Sequence, residues 1–155
     1  MTTYRFISCP KCGTRIKIYA NPVPTVDIII EIRDKIVLIE RKNPPLGLAI
    51  PGGFVDYGER IEDAATREAR EETGLEVRLE YLVGVYSDPK RDKRMHTIST
   101  VFAATAQDTP KAGDDAAAVK LVDPANIEKP LCFDHDLIIR DYLKLRQQGT
   151  MPVWR

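Results

Sequence analysis

The stretch that decides the reading is Gly53-Phe54-Val55-Asp56-Tyr57-Gly58-Glu59-Arg60-Ile61-Glu62-Asp63-Ala64-Ala65-Thr66-Arg67-Glu68-Ala69-Arg70-Glu71-Glu72-Thr73-Gly74-Leu75. From Glu59 to Thr73 it has helical character, and Gly74 is a natural residue to end the helix. On a wheel of about 100° per residue, Glu68, Glu71 and Glu72 share one arc with Ile61, Ala64 and Ala65. Glu59, Asp63, Thr66 and Arg70 fall on the other side. The pattern therefore predicts three carboxylates on the face that turns inward. A solvated charged face would put acids opposite the apolar stripe, with basic partners three or four residues away. Here Glu68 has Glu71 and Glu72 at those distances, which is repulsive. Two partly buried charges about 4 Å apart cost roughly 4 kcal/mol at an effective dielectric of about 20. A divalent cation removes that cost. Oxygen donors without His or Cys suit Mg²⁺ or Mn²⁺ rather than zinc.

Working outward, β-branched runs at 26–32 and 35–41 read as paired strands turning at Asp34. Asn43-Pro44-Pro45-Leu46-Gly47 reads as a loop and Pro51-Gly52-Gly53 as a tight turn. Further strands are expected at 77–86, 96–106 and 119–122, and a last helix over 133–148 ends at Gly149. Strands on both sides of a central helix, with a second helix last, predict an α/β fold with a mixed sheet between helices. Residues 1–21 read as a small polar appendix, set off from a main domain over 22–155 by the prolines at 22 and 24.

Composition narrows the classes. The chain has 155 residues, 43% apolar and 30% charged, as expected of one ordinary globular domain. Its 23 basic and 23 acidic side chains cancel, so no global field favours nucleic acid or an anionic membrane. No apolar run approaches a membrane span, and the first residues lack a signal-peptide core. Three cysteines do not make a disulfide framework, which points to a reducing cytoplasm.

The sequence from Gly53 runs through five residues to Glu59, seven more, and then Arg67-Glu68-Ala69-Arg70-Glu71-Glu72-Thr73-Gly74-Leu75. It resembles the Nudix box at every fixed position. The resemblance implies an α/β/α sandwich around a mixed β-sheet and a metal-dependent hydrolase of nucleoside diphosphate compounds. It gives Glu68, Glu71 and Glu72 as metal ligands together with the Gly53 carbonyl, and Arg67 as the residue that orients the carboxylates. Glu59 would brace the loop or help with metal binding. A bound dication would neutralise the diphosphate and activate water. The general base is expected in the loop Gly113-Asp114-Asp115, with Asp115 favoured over Asp114; Glu72 is the alternative.

Substrate choice lies outside the box. Ser87-Asp88-Pro89-Lys90-Arg91-Asp92-Lys93-Arg94-Met95-His96 resembles a loop of ADP-ribose pyrophosphatase-like members, with Lys93 where their pattern has proline. That likeness implies ADP-ribose as substrate, giving AMP and ribose 5-phosphate, with Tyr86, Arg91 and Arg94 at the substrate. A solvated basic loop is the competing reading of the same residues, and His96 reads as structural. A nucleoside triphosphate pyrophosphatase is the alternative activity. A non-catalytic nucleotide-binding regulator is disfavoured, because the acids of the box are complete. A small nucleotide is the expected partner, with a homodimer left open.

Cys9-Pro10-Lys11-Cys12-Gly13 has the form of half a zinc knuckle, and structural zinc needs four ligands. The favoured reading is a relict knuckle without Zn²⁺; zinc shared across a dimer is the alternative. Cys132, His96 and His135 are remote in sequence.

Overall fold

The computed structural model describes residues 4–113, 116–127 and 130–149. The first two strands, β1 (Tyr4–Ser8) and β2 (Arg15–Tyr19), pair antiparallel as a separate two-stranded sheet. Seven strands form the main sheet: β3 (Val23–Ile32), β4 (Lys35–Arg41), β5 (Leu48–Ala49), β6 (Gly52–Phe54), β7 (Arg78–Tyr86), β8 (Thr97–Thr105) and β9 (Ala116–Val122). Helix α1 (Ile61–Thr73) follows β6, and helix α2 (His135–Gln148) comes last. The main path runs β5-β4-β3-β8-β7, with β6 beside β3 and β9 beside β4. Strands β3 and β8 run parallel, whereas the other pairs are antiparallel, so the sheet is mixed as expected.

Period-two alternation along β3 builds both layers. Val26, Ile28 and Ile30 are buried with Ala64, Ala65 and Ala69 of α1. Ile29, on the other face, packs with Ile138, Ile139 and Tyr142 of α2. Asp27 and Glu31 share that second face. They meet α2 through polar contacts: His135 lies 3.4 Å from Asp27, and the Tyr142 hydroxyl donates to Glu31 at 2.6 Å. The sheet is thus sandwiched, with α1 on one side and α2 on the other.

Most elements lie where the sequence places them, and both helices close on left-handed glycines, Gly74 at φ 67° and Gly149 at φ 63°. Two expectations need correction. Pro51-Gly52-Gly53 is not simply a turn: Gly52–Phe54 forms strand β6 and pairs with β3, Gly52 opposite Asp27 and Gly53 opposite Val26. Residues 4–19 are also not merely polar, because they form the β1–β2 hairpin with Tyr4, Phe6, Ile7, Ile16 and Tyr19 exposed. Among the described residues no helix is long and apolar enough to cross a membrane.

Gly52 is required by close approach. A Cβ there would stand 2.2 Å from the Val26 carbonyl oxygen and 2.7 Å from an Asp27 carboxyl oxygen. Backbone cannot yield as a flexible side chain can. Gly52→Ala should therefore destabilise the fold by at least about 1–3 kcal/mol, measured by urea unfolding. Unchanged stability would show that β6 does not pack this tightly.

Candidate active site

A cleft of about 400 Å³ opens between β3, β6, α1 and the loop preceding α2. Glu68, Glu72, Gly52, Gly53 and Arg67 line one side of it, and Arg41, Arg91, Arg94 and Phe133 also line it. The first group comes from strand β6 and helix α1, which the glycines allow to touch. A Cβ on Gly53 would lie 2.4 Å from a Glu68 carboxyl oxygen. Glu72 accepts a hydrogen bond from the Gly52 amide at 2.8 Å.

Arg67 organises the acids. Its guanidinium donates to both Glu59 carboxyl oxygens at 2.9 Å each, to Glu68 at 2.8 Å, to Glu71 at 3.1 Å and to the Phe54 carbonyl at 3.0 Å. Glu59 also accepts the Asp56 amide at 3.0 Å, which ties down the loop before α1. The Arg67 hydrogen bonds hold the Glu59 carboxyl down to about 2. Burial pushes the Glu68 carboxyl up against the pull of Arg67, with repulsion from Glu71 and Glu59 adding to it. Burial also pushes Glu72 up to about 8; the Gly52 amide opposes this, and Glu68 and Asp27 reinforce it.

The helix wheel predicts all three glutamates facing inward. Glu72 is buried and Glu68 half-buried, but Glu71 is exposed, because the Arg67 guanidinium holds its carboxylate at the helix edge. Among the described residues no three acidic, His or Cys side chains are already gathered closely enough to enclose an ion. The donor set nevertheless suits a hard dication: two desolvated, mutually repelling carboxyls beside the backbone of a glycine strand.

The predicted substrate residues are placed differently from one another. Arg94 stands at the cleft, paired with Asp92 at 2.8 Å, its guanidinium 5.4 Å from the Phe133 ring centre. Arg91 reaches the cleft floor, but its side chain is 5% exposed and committed to Asp134 at 2.8 Å and Asp27 at 3.3 Å. Tyr86 is not part of the cleft; its hydroxyl donates to Asp141 at 3.3 Å, in a groove between β7 and α2. Asp114 and Asp115 lie outside the described residues. The preceding loop is fixed to the end of α1, with the Lys111 amide on the Thr73 carbonyl at 2.8 Å and the Gly113 amide on the Glu72 carbonyl at 3.0 Å. His96 Nε2 donates to the Ser87 carbonyl at 3.1 Å, on the surface.

A buried polar cluster beneath the cleft escapes sequence reasoning. The Ser99 hydroxyl, Arg91 and His135 all converge on Asp27. Burial pushes the Asp27 carboxyl up, but His135, Ser99 and Arg91 together outweigh it and hold it below the usual range. His135 Nδ1 accepts the Ile50 amide at 2.9 Å, so its ring proton sits on Nε2, toward Asp27. The only signal in the sequence is Asp27 itself, an acid that breaks the apolar run of 26–30. Phe133, expected to begin the last helix, instead precedes it at φ 60°; Arg41 and Arg94 both lie over its ring, at 5.1 and 5.4 Å.

A model of the NUDIX domain matches residues 21–142. An ADP-ribose pyrophosphatase from Methanocaldococcus jannaschii is 47% identical over 133 residues, covering 84% of this chain and 78% of the relative. A putative 8-oxo-dGTP diphosphatase from Bacillus subtilis is 36% identical, covering 81% and 83%. The crystal structure of a NUDIX hydrolase from Nitrosomonas europaea superposes with a TM-score of 0.77 at 27% identity, covering 99% of this chain and 91% of that one.

Two predictions arise here. Removing one member of a buried charge cluster leaves the others uncompensated, at a cost of roughly 3–5 kcal/mol. Arg91→Met should lose stability on that scale in denaturant unfolding, and a loss confined to activity would show that Arg91 is free for substrate. Second, Glu72 rises from an ordinary 4.5 to about 8 on folding. A raised value favours the fold below the unfolded value, and that contribution is lost as pH climbs through the folded one. Metal-free Glu72→Gln should therefore lose less thermal stability than the parent between about pH 5 and pH 8.5. Parallel pH profiles would mean that Glu72 folds as a carboxylate.

Proposed function

This chain belongs to the Nudix family of hydrolases, and on that footing we propose that it cleaves the diphosphate of ADP-ribose, giving AMP and ribose 5-phosphate. The observation that carries the proposal is the facing of unlike charges across one cleft. On one wall stand the desolvated carboxyls Glu68 and Glu72; elsewhere in the same cleft Arg41 and Arg94 flank Phe133. A diphosphate fits between such groups if a dication covers the carboxyls. The 47% identical ADP-ribose pyrophosphatase supports the choice of substrate.

Glu68, Glu72 and the Gly53 carbonyl would hold Mg²⁺ or Mn²⁺, with Glu71 available once it leaves Arg67. Such an ion supplies charge neutralisation of the diphosphate and a lower pKa for bound water. The protein's own groups do the rest. Arg67 keeps Glu68 and Glu71 oriented through the loop anchored at Glu59. Arg41 and Arg94 give cationic donors for phosphate oxygens, and the Phe133 face offers a platform for a nucleoside. The Asp27–Arg91–Asp134–His135 cluster fixes the floor and the start of α2, from which Phe133 is presented. Proton removal from water is proposed for Asp115, with Glu72 as the alternative base. Residues 111–113 are pinned to the end of α1 at the Thr73 and Glu72 carbonyls.

The 36% identical putative 8-oxo-dGTP diphosphatase favours a second reading, hydrolysis of an oxidised nucleoside triphosphate. A substrate panel with Mg²⁺ and product identification separates the two. The kcat/KM for ADP-ribose is expected to exceed that for any nucleoside triphosphate by at least about tenfold, equal to roughly 1.4 kcal/mol of transition-state preference. Arg94→Ala should erode the preference while the protein stays folded. A faster reaction with dGTP or its oxidised form would overturn the ADP-ribose assignment and leave the family membership standing.

A further inference from the structure

Among the described residues, the β1–β2 hairpin does not line the cleft and is a sheet separate from the main one. Its register puts Tyr4 opposite Tyr19, Phe6 opposite Lys17 and Ser8 opposite Arg15 on one face. Arg5, Ile7, Ile16 and Ile18 occupy the other. Tyr4 is 49% exposed, Tyr19 52% and Ile16 43%, so neither face is covered. A two-stranded sheet of five-residue strands, wet on both sides, is marginal by itself. Something more must hold it.

The turn at its tip carries Cys9 and Cys12. The Cys9 amide donates to the Thr14 carbonyl at 2.9 Å and the Gly13 amide to the Cys9 carbonyl at 2.8 Å, with Gly13 in the left-handed region at φ 72°. In this turn the Cys12 thiol donates to the Thr14 hydroxyl at 3.2 Å, with Cys9 three residues before it, just past the end of β1. The two cysteines are half of a tetrahedral thiolate site. The chain has 3 cysteines and 2 histidines in all, so the other soft donors can be checked one by one. Cys132 is buried with its sulfur 3.6 Å from the Pro45 carbonyl. His135 is buried between Ile50 and Asp27, and His96 holds the Ser87 carbonyl. Each is engaged in the main domain, and no group of three donors forms among the described residues.

We infer that Cys9 and Cys12 bind zinc together with the same two cysteines of a second copy of this chain, the ion lying on the two-fold axis of a homodimer joined tip to tip through its hairpins. An isologous contact of this kind supplies both missing ligands at once. Binding converts four thiols to thiolates and releases four protons, which leaves a doubly negative centre. Local charge suits that centre. Residues 1–26 include Arg5, Lys11, Arg15 and Lys17 and no Asp or Glu, although the whole chain is neutral. Arg15 and Lys17 are already held over the aromatic rings, Arg15 4.2 Å from Phe6 and Lys17 4.1 Å from Tyr4. The exposed Ile7–Ile16 pair lies one rung from this tip, where a second hairpin on the same ion would approach it.

The test is native mass spectrometry with zinc analysis of the full chain, reduced and supplied with Zn²⁺. The expected result is a dimer with one zinc per two chains, which a strong chelator converts to monomer. Cys12→Ser should lose both zinc and dimer, while the circular dichroism of the main domain is unchanged. One zinc in each monomer would overturn the inference, as would a dimer that survives in Cys12→Ser or a chain that takes up no zinc. A zinc-free monomer whose hairpin binds single-stranded RNA would likewise overturn it, since aromatic and cationic side chains also serve that purpose.

Discussion

The site depends on the closeness of one strand to one helix. Strand β6 lies so near α1 that a Cβ on Gly53 would overlap the Glu68 carboxylate, and a Cβ on Gly52 would overlap β3. Two adjacent glycines therefore let a backbone pass between the central strand and the acidic helix. The consequence is electrostatic. Glu72 is taken out of water, with the Gly52 amide donating to it, and Glu68 is half-buried beside it. Like charges in such surroundings raise each other's cost of ionisation. That cost is the physical ground for the dication proposed at this pair.

The rest of the architecture keeps that arrangement in place. Arg67 is the counterweight on the exposed side, binding three glutamates and the Phe54 carbonyl. Opposite it, Asp27 anchors a buried cluster that ties β3 to β8 through Ser99 and to α2 through His135. Arg91 closes the cluster by bridging Asp27 and Asp134. The loop bearing Arg91 is thus fixed by a buried ion pair, which leaves Arg94 near Phe133 at the mouth. Two arginines three positions apart are thus placed differently, Arg91 in the buried cluster and Arg94 at the cleft.

Sequence alone carried much of this, for identifiable reasons. Helix α1 is legible because its apolar period, its glutamate spacing and Gly74 agree. Strands β3 and β4 are legible from β-branched runs around a turn at Arg33 and Asp34, both at positive φ. Glu71 was misjudged because a wheel knows angles but not partners, and Arg67 holds its carboxylate outward. Arg91 and Arg94 look equivalent in a basic loop; only tertiary contacts with Asp27, Asp134 and Phe133 distinguish them. Tyr86 faces α2 because strand alternation, which the sequence shows, cannot say which face borders the cleft. Asp27 gave a sign, an acid within an apolar run, but its partners come from residues 91, 99 and 135, far apart along the chain.

The central claim is that Glu68 and Glu72 form a dication site in which the Glu72 carboxyl stays protonated until the ion arrives. Calorimetric titration of the metal-free protein with Mn²⁺ near pH 7, repeated in buffers of different ionisation enthalpy, counts the protons released on binding. Glu72 stands at about 8 when no ion is bound, so release approaching one proton is expected, and Glu72→Gln should abolish it. Tight binding with no proton release in the parent protein, or unchanged release in the variant, would contradict the claim.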